Sequence, residues 1–194
     1  MTGKDSEYWD EAYKKGVHWE EGHSKGAEEF SEMLKPKSSV LDIGCGSGRD
    51  CIFFAKKGFD VAGVDISEEA IKKAKQTAGK EGLKIRFELM SAEKLSYGDE
   101  SFDGVYSNSA LHFTDLKRSS EEIFRVLKKN GVCLLSIVLT TTYPHTNEVI
   151  KKYSAEQAIL AFGKFKMLKQ NEIEVTDEKP RLHKHKILVL VLKK

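Results

Sequence analysis

The sequence predicts an α/β protein in which a mostly parallel sheet lies between two layers of helices, with an antiparallel hairpin near one edge. Three observations carry that prediction. Residues 40–48 read Val-Leu-Asp-Ile-Gly-Cys-Gly-Ser-Gly, an apolar run followed by three closely spaced glycines, as when a buried strand ends in a sharp turn. From residue 39 to 139, apolar runs of strand length alternate with stretches of helical period, and parallel strands need such crossovers. Residues 164–175 and 183–192 are two extended runs with no helix between them, so that pair runs antiparallel.

Each element has its own local reason. Residues 5–15 read as a helix with Tyr8, Trp9, Ala12 and Tyr13 on one side, ended by Gly16; residues 26–35 read as a second, stopped by Pro36. The first strand covers 39–43 and its helix 47–57, with Ser47 and Asp50 suited to the first turn and Gly58 closing it. Residues 59–64 form the second strand. Ser67 caps the next helix, Glu68 and Glu69 suit its positive end, and Ala70, Ile71, Ala74 and Ala78 make its apolar stripe. Residues 84–89 and 102–107 are the third and fourth strands. Residues 117–128 are a helix with Ile123, Phe124 and Leu127 inward, followed by a turn at Asn130-Gly131. The nearly unbroken apolar run 132–139 is a central strand. Residues 154–162 are helical, and a polar turn containing Pro180 joins the last two strands.

At 194 residues the chain fits one domain with a real core. It divides into an N-terminal helical cap (1–36), a ligand-binding core (37–140), and a substrate-side segment with the edge hairpin (141–194). A net charge of +2 gives no reason to expect nucleic acid as a partner. No apolar segment reaches the roughly 18–20 residues of a membrane span, and the polar N-terminus lacks a signal-peptide core. The expectation is a cytoplasmic protein, monomer or homodimer, without a membrane partner. The three cysteines, Cys45, Cys51 and Cys133, are odd in number and lack CxxC spacing, which argues against a disulfide framework or a zinc site. His183 and His185 share one face of a strand with too few companions for a metal, so no metal is expected.

In an open parallel sheet, ligands bind beyond the carboxyl ends of the strands. Those ends supply Asp42 with Gly44, Cys45, Gly46 and Gly48; then Asp65 and Ile66; then Ser91, Ala92 and Glu93; then Ser107 and Asn108, with His112 soon after; and finally residues 140–145. Asp65 suits a two-oxygen grip on a ribose diol. The competing reading is a cap for the following helix, a task for which Ser67 is better placed. Ile66 offers an apolar wall for a flat base, and Ala92 a backbone edge. The loop is Gly-x-Gly-x-Gly, one residue shorter than the dinucleotide fingerprint.

The segments VLDIGCGSGRD (40–50), GFDVAGVDISEEAIKKA (58–74), MSAEKL (90–95), ESFDGVYSNSALHF (100–113) and FRVLKKNGVCLLSI (124–137) together resemble the S-adenosylmethionine-dependent methyltransferases with the seven-stranded Rossmann-like fold. The resemblance implies a three-layer α/β/α sandwich and S-adenosylmethionine as cofactor. It implies that Gly44 to Gly48 pack against the methionine part, with Asp42 near its amino group. It assigns Asp65 to the ribose hydroxyls, Ile66 and Ala92 to the adenine, and Ser107 and Asn108 to the methionine end near the methyl. The family often has an acid where Ser91 stands, so Ser91 or Glu93 takes the contact to the adenine amino group. The helix N-terminus after Gly48 then faces the methionine carboxylate.

Residues 8–22 and 182–186 look similar to compact methyltransferases of the tellurite-resistance and thiopurine type, which act on small molecules, often at sulfur or another soft heteroatom. With the N-terminal cap and residues 140–153 as the only additions to the core, a lid over a small methyl acceptor is expected. Trp9 and Trp19 either cover the sulfonium or pack the N-terminal helices. The implied reaction is an in-line displacement. A soft or anionic acceptor needs no general base; an oxygen or nitrogen acceptor calls on His112, Tyr143 or His145. Two other classes compete: an NAD-dependent oxidoreductase, disfavoured by the short glycine loop and the terminal hairpin, and a non-catalytic S-adenosylmethionine-binding protein.

Overall fold

A computed structural model describes residues 3–16, 22–142, 149–177 and 183–194. The elements, in chain order, are α1 (Gly3–Lys14), α2 (Lys25–Glu32), β1 (Ser39–Ile43), α3 (Arg49–Lys56), β2 (Asp60–Asp65), α4 (Glu68–Lys80), β3 (Arg86–Leu89), β4 (Phe102–Asn108), a 3-10 turn (Leu111–Phe113), α5 (Leu116–Val126), β5 (Leu127–Thr142), β6 (Val149–Lys151), α6 (Ala155–Ala161), β7 (Lys166–Asp177) and β8 (His183–Lys193).

The sheet order is β3-β2-β1-β4-β5-β8-β7. Strands β1 to β5 are mutually parallel, while β8 runs antiparallel to both β5 and β7. The seven strands and the edge hairpin are those the sequence predicts. Strand order reverses between β1 and β4, and the gap opened there is where a ligand enters such a sheet.

Alternation along β1 shows how the two faces are built. Leu41 and Ile43 join a core that also takes Ile123 and Val126 of α5 and Ala158 of α6. Val40 joins the opposite core with Phe30 of α2, Phe54 of α3 and Ile71 and Ala74 of α4. The apolar stripe Ala70, Ile71, Ala74 and Ala78 is buried as its spacing predicts, and Cys133 is a core residue.

Three details differ from the sequence reading. Helix α5 stops at Val126, and Leu127 already pairs with Phe102, because the cap residue is extended at ψ 131°. The cap of α3 is Gly48, left-handed at φ 84°, and Ser47 does not cap it. Asp50 stands in the first turn of α3, as expected, and its carboxylate accepts from the Ser24 amide at 2.7 Å and the Ser24 hydroxyl at 2.9 Å, while that hydroxyl also meets the Tyr106 hydroxyl at 2.6 Å. This cluster pins α2 to α3. Lastly, part of the expected lid is strand: β6 pairs antiparallel with Thr140–Thr142 of β5, which ties its exit to the sheet.

Candidate functional site

The loops after β1, β2 and β4 lie side by side, and α1 crosses all three. From α1, Tyr13 meets the loop after β1: a β-carbon added to Gly46 would lie 2.4 Å from the Tyr13 hydroxyl oxygen. Asp10 accepts from the Ser67 hydroxyl at 2.6 Å and the Glu69 amide at 3.2 Å, just after β2. Trp9 packs edge-on against Phe113, just after β4, with ring centroids 5.3 Å apart. The Lys73 ammonium of α4 donates to the Tyr13 carbonyl. Tyr8, expected on the packed side, is 59% exposed, because the face that meets the loops is set by Trp9 and Tyr13.

Gly44, Gly46 and Gly48 adopt φ of 73°, 54° and 84°, a left-handed backbone that side chains resist. Space is as restrictive as conformation: a β-carbon on Gly44 would lie 2.1 Å from the Ala110 β-carbon. The amides of Gly44 and Cys45 both donate to the Val64 carbonyl, at 2.8 and 3.0 Å, fastening the loop to β2.

Asp65 joins the two strand ends. One carboxylate oxygen accepts from the Gly46 amide and the other from the Ser67 amide, each at 2.9 Å. Each oxygen keeps accepting capacity for a ligand. Ser67 is the side-chain cap of α4, accepting from the Ala70 amide at 3.1 Å, so the capping alternative for Asp65 goes to Ser67, as its position suggests. Burial pushes the Asp65 carboxyl up, against the backbone hydrogen bonds that hold it down.

Asp42 is buried beneath the glycine loop and accepts from the Cys51 thiol at 3.2 Å. Burial, then the charge of Asp50, push it well above the usual carboxylate range. A hydrogen bond from Cys51 holds the Cys45 thiol down, but burial and the charges of Asp42 and Asp65 together outweigh it and push Cys45 up to about 11. Cys45 is therefore a protonated packing residue, and the loop contributes through its backbone. No side chain caps α3.

At the end of β3, Ala92 is buried, Ile66 is half-buried nearby in sequence after β2, and the Ser91 hydroxyl accepts from the Glu93 amide at 3.2 Å. The Glu93 carboxylate accepts from the Asp115 amide at 3.1 Å, so it links this loop to the start of α5. At the end of β4, Ser107 is fully buried and its hydroxyl donates to the Ile43 carbonyl at 2.8 Å. It holds β4 to β1. Asn108 is half-buried, its amide oxygen 3.5 Å from the Ser109 hydroxyl.

His112 is 9% exposed and its Nδ1 has no hydrogen-bond partner among the described residues. Burial pushes its pKa down to about 3, with Lys152 and His185 adding to the effect. Tyr143, His145 and Trp19 lie outside the described residues. Sequence reasoning missed Asp10 and Tyr13 as site-facing groups, and also Phe113 and Lys152. The Lys152 ammonium stands 5.2 Å over the Phe113 ring, a contact between positions 39 apart that no local pattern announces. Among the described residues no cluster of three or more His, Cys, Asp or Glu could hold a metal ion, and no helix is long and apolar enough to cross a membrane.

A family model described as a methyltransferase domain matches residues 34–184. The uncharacterized methyltransferase YcgJ of Bacillus subtilis is 32% identical over 127 residues, covering 64% of this chain and 50% of YcgJ. The chain thus spans about half the length of that curated relative. A solved structure described under the conversion of a disulfide bond into a thioacetal group during echinomycin biosynthesis superposes with a TM-score of 0.81 at 20% identity, covering 98% of this chain and 92% of the other. The 1,6-didemethyltoxoflavin-N1-methyltransferase of Burkholderia thailandensis, solved with 1,6-didemethyltoxoflavin and S-adenosylhomocysteine bound, superposes at 0.75 with 22% identity, covering 97% and 86%.

Proposed function

This chain belongs to the S-adenosylmethionine-dependent methyltransferases of Rossmann-like fold, and we propose that it methylates a small-molecule acceptor at sulfur or another heteroatom centre. The observation that carries the reading is the convergence of the glycine loop, the Asp65 carboxylate and the turn after β4 beneath α1.

These residues fit the cofactor chemically. Asp65 has free lone pairs at the end of β2 for a ribose diol. The N-terminus of α3 carries no side-chain cap and suits a carboxylate. Asp42, buried below, is a carboxyl that an ammonium group nearby would help to ionise. Ile66 and Ala92 offer apolar surface for the adenine. Ser91 or Glu93 takes its amino group, each already accepting from one backbone amide. Ser107 acts by fixing β4, and Asn108 by lining the methionine end.

Bound there, S-adenosylmethionine supplies a methyl group already activated by its sulfonium centre. The chain's task is to align an acceptor lone pair with the methyl and to exclude water. Helix α1, with Trp9 and Tyr13, supplies the cover. Two neighbours favour a small acceptor: one concerns sulfur chemistry and the other binds a small heterocycle. A cytoplasmic location and a monomeric or dimeric state belong to the same reading.

The test has two steps. S-adenosylhomocysteine should raise the melting temperature and NADH should not; the reverse would restore the oxidoreductase alternative. Radiolabelled methyl transfer is then measured to thiols, metalloid oxyanions, amines and phenols. Tight cofactor binding with no transfer to any of them would favour a non-catalytic binding protein.

A further inference from the structure

His112 is a buried polar group that cofactor binding leaves unexplained. A buried nitrogen without a partner is a standing cost to the fold. It is tolerated where a bound molecule completes the hydrogen bond. The position suits that purpose, because the 3-10 turn carrying His112 follows β4 directly and presses on the glycine loop through Ala110.

Lys152 points to the same place independently. Its amide donates to the Leu139 carbonyl at 3.0 Å, and the next residue, Tyr153, donates its hydroxyl to the Thr114 carbonyl at 2.6 Å. These two bonds fix the chain after β6 against the end of β5 and against the turn of His112. The Lys152 ammonium is thereby held 5.2 Å over Phe113, whose ring is 4.0 Å from that of His112. Among the described residues no carboxylate pairs with Lys152, so its charge is available to a ligand. Trp9 also packs edge-on against Phe113.

We propose that His112 and Lys152 form the acceptor-recognition end of the site, and that the acceptor is a small molecule carrying negative charge when it binds, hydrogen-bonded by His112 Nδ1 and balanced by Lys152. This rests on the methyl-transfer reading. In the step it implies, an ionised nucleophilic atom gives its lone pair to the methyl carbon. The methyl–sulfur bond breaks and its electron pair stays on sulfur. The negative charge of the nucleophilic atom cancels the positive charge of the sulfonium, a second anionic group of the acceptor stays beside Lys152, and no proton passes to the protein. His112 is then an anchor and no base. The charged or titratable groups that bear on it are Lys152, after β6, and His185 of β8, and both oppose its protonation. Phe113, beside His112, and Trp9, beside Phe113, add apolar surface.

The experiment compares para-mercaptobenzoate with para-toluenethiol, two thiols of one shape that differ by a carboxylate, on the full chain. Binding to the S-adenosylhomocysteine complex is measured by calorimetry and turnover with S-adenosylmethionine. The carboxylate should improve kcat/KM and binding by about 10-fold in the natural chain, and Lys152→Met should shrink that ratio to about 2-fold or less. His112→Ala should raise the KM of both thiols about 10-fold with little change in kcat, and His112→Asn, whose amide reaches the Nδ1 position, should restore most of it. No variant should change the S-adenosylhomocysteine Kd. A ratio untouched by Lys152→Met, or a KM untouched by His112→Ala, overturns the proposal. So does a pH–rate inflection between about 6 and 7 that His112→Ala abolishes, since it would make His112 a base. A chain that binds S-adenosylhomocysteine but neither binds nor methylates either thiol also overturns it and leaves the cofactor reading standing. Failure to bind S-adenosylhomocysteine defeats that reading first.

Discussion

The two halves of the sheet are built on different terms. From β1 to α4 the chain meets itself over short separations: Asp65 reaches Gly46, 19 residues back, and the glycine-loop amides reach Val64. This half is closely packed, and Gly44 and Gly63 have no room for a methyl group. From β5 to β8 the contacts are distant in sequence. Val132 pairs with Lys193, and the edge strand β7 keeps Leu168 and Ile173 about half exposed beside ion pairs such as Lys169–Glu29. A ligand shared by a whole family is held by backbone geometry, which tolerates few residues. An acceptor particular to one protein is met by side chains, which can vary on a constant frame.

The contrast should appear first in glycine replacements. Gly44→Ala combines a φ of 73° with a 2.1 Å clash, so it should cost about 3 kcal/mol or more and abolish S-adenosylhomocysteine binding. Gly82→Ala has a similar φ of 67° but nothing within 4 Å, so only strain remains, about 1 kcal/mol. Thermal melts of the two, side by side, would undo the distinction if they shifted equally.

Asp65→Ala should weaken S-adenosylhomocysteine by about 1–3 kcal/mol, roughly 5- to 150-fold, with Asp65→Asn in between. Calorimetry giving an unchanged Kd removes Asp65 from the site.

The next effect is electrostatic. His112 titrates at about 3 in the folded chain and near 6.5 unfolded. Below its unfolded value the unfolded chain takes up a proton that the folded chain refuses, so stability falls as pH drops from 6.5 toward 3. The raised Asp42 and Asp65 carboxyls act in the opposite sense, keeping protons longer when folded and losing that contribution as pH rises. His112→Asn leaves those acids in place. The difference between the two melting curves should therefore narrow by on the order of 1 kcal/mol between about pH 7 and pH 5. Parallel curves would place His112 in contact with water.

The smallest effect belongs to the hairpin. Lys186→Gln breaks its ion pair with Glu172 across β8 and β7, but both side chains are exposed, so the melting temperature should stay within measurement error. A large drop would mean that the edge hairpin is as tightly specified as the glycine loop.

Much of the cofactor half was legible because its signals are local. Gly44, Gly46 and Gly48 are written within five residues, Asp65 stands at the end of its strand, and Ser67 precedes its helix by one position. The misread details arise where a distant group outcompeted a local preference. Leu127 fits a helical stripe, yet pairing with Phe102 claims it for the sheet. Nothing local to α1 says that one of its faces meets three loops.

The sequence by itself determined the order of strands and helices, the glycine turn and the acids that flank it, because hydrophobic period and backbone conformation act between near neighbours. Only the tertiary structure decided that α1 roofs the strand ends, that Asp65 bridges two loops, and that Lys152 stands over Phe113 beside His112. Those arrangements depend on closing long loops around a common core, and no residue carries that information in its immediate neighbours.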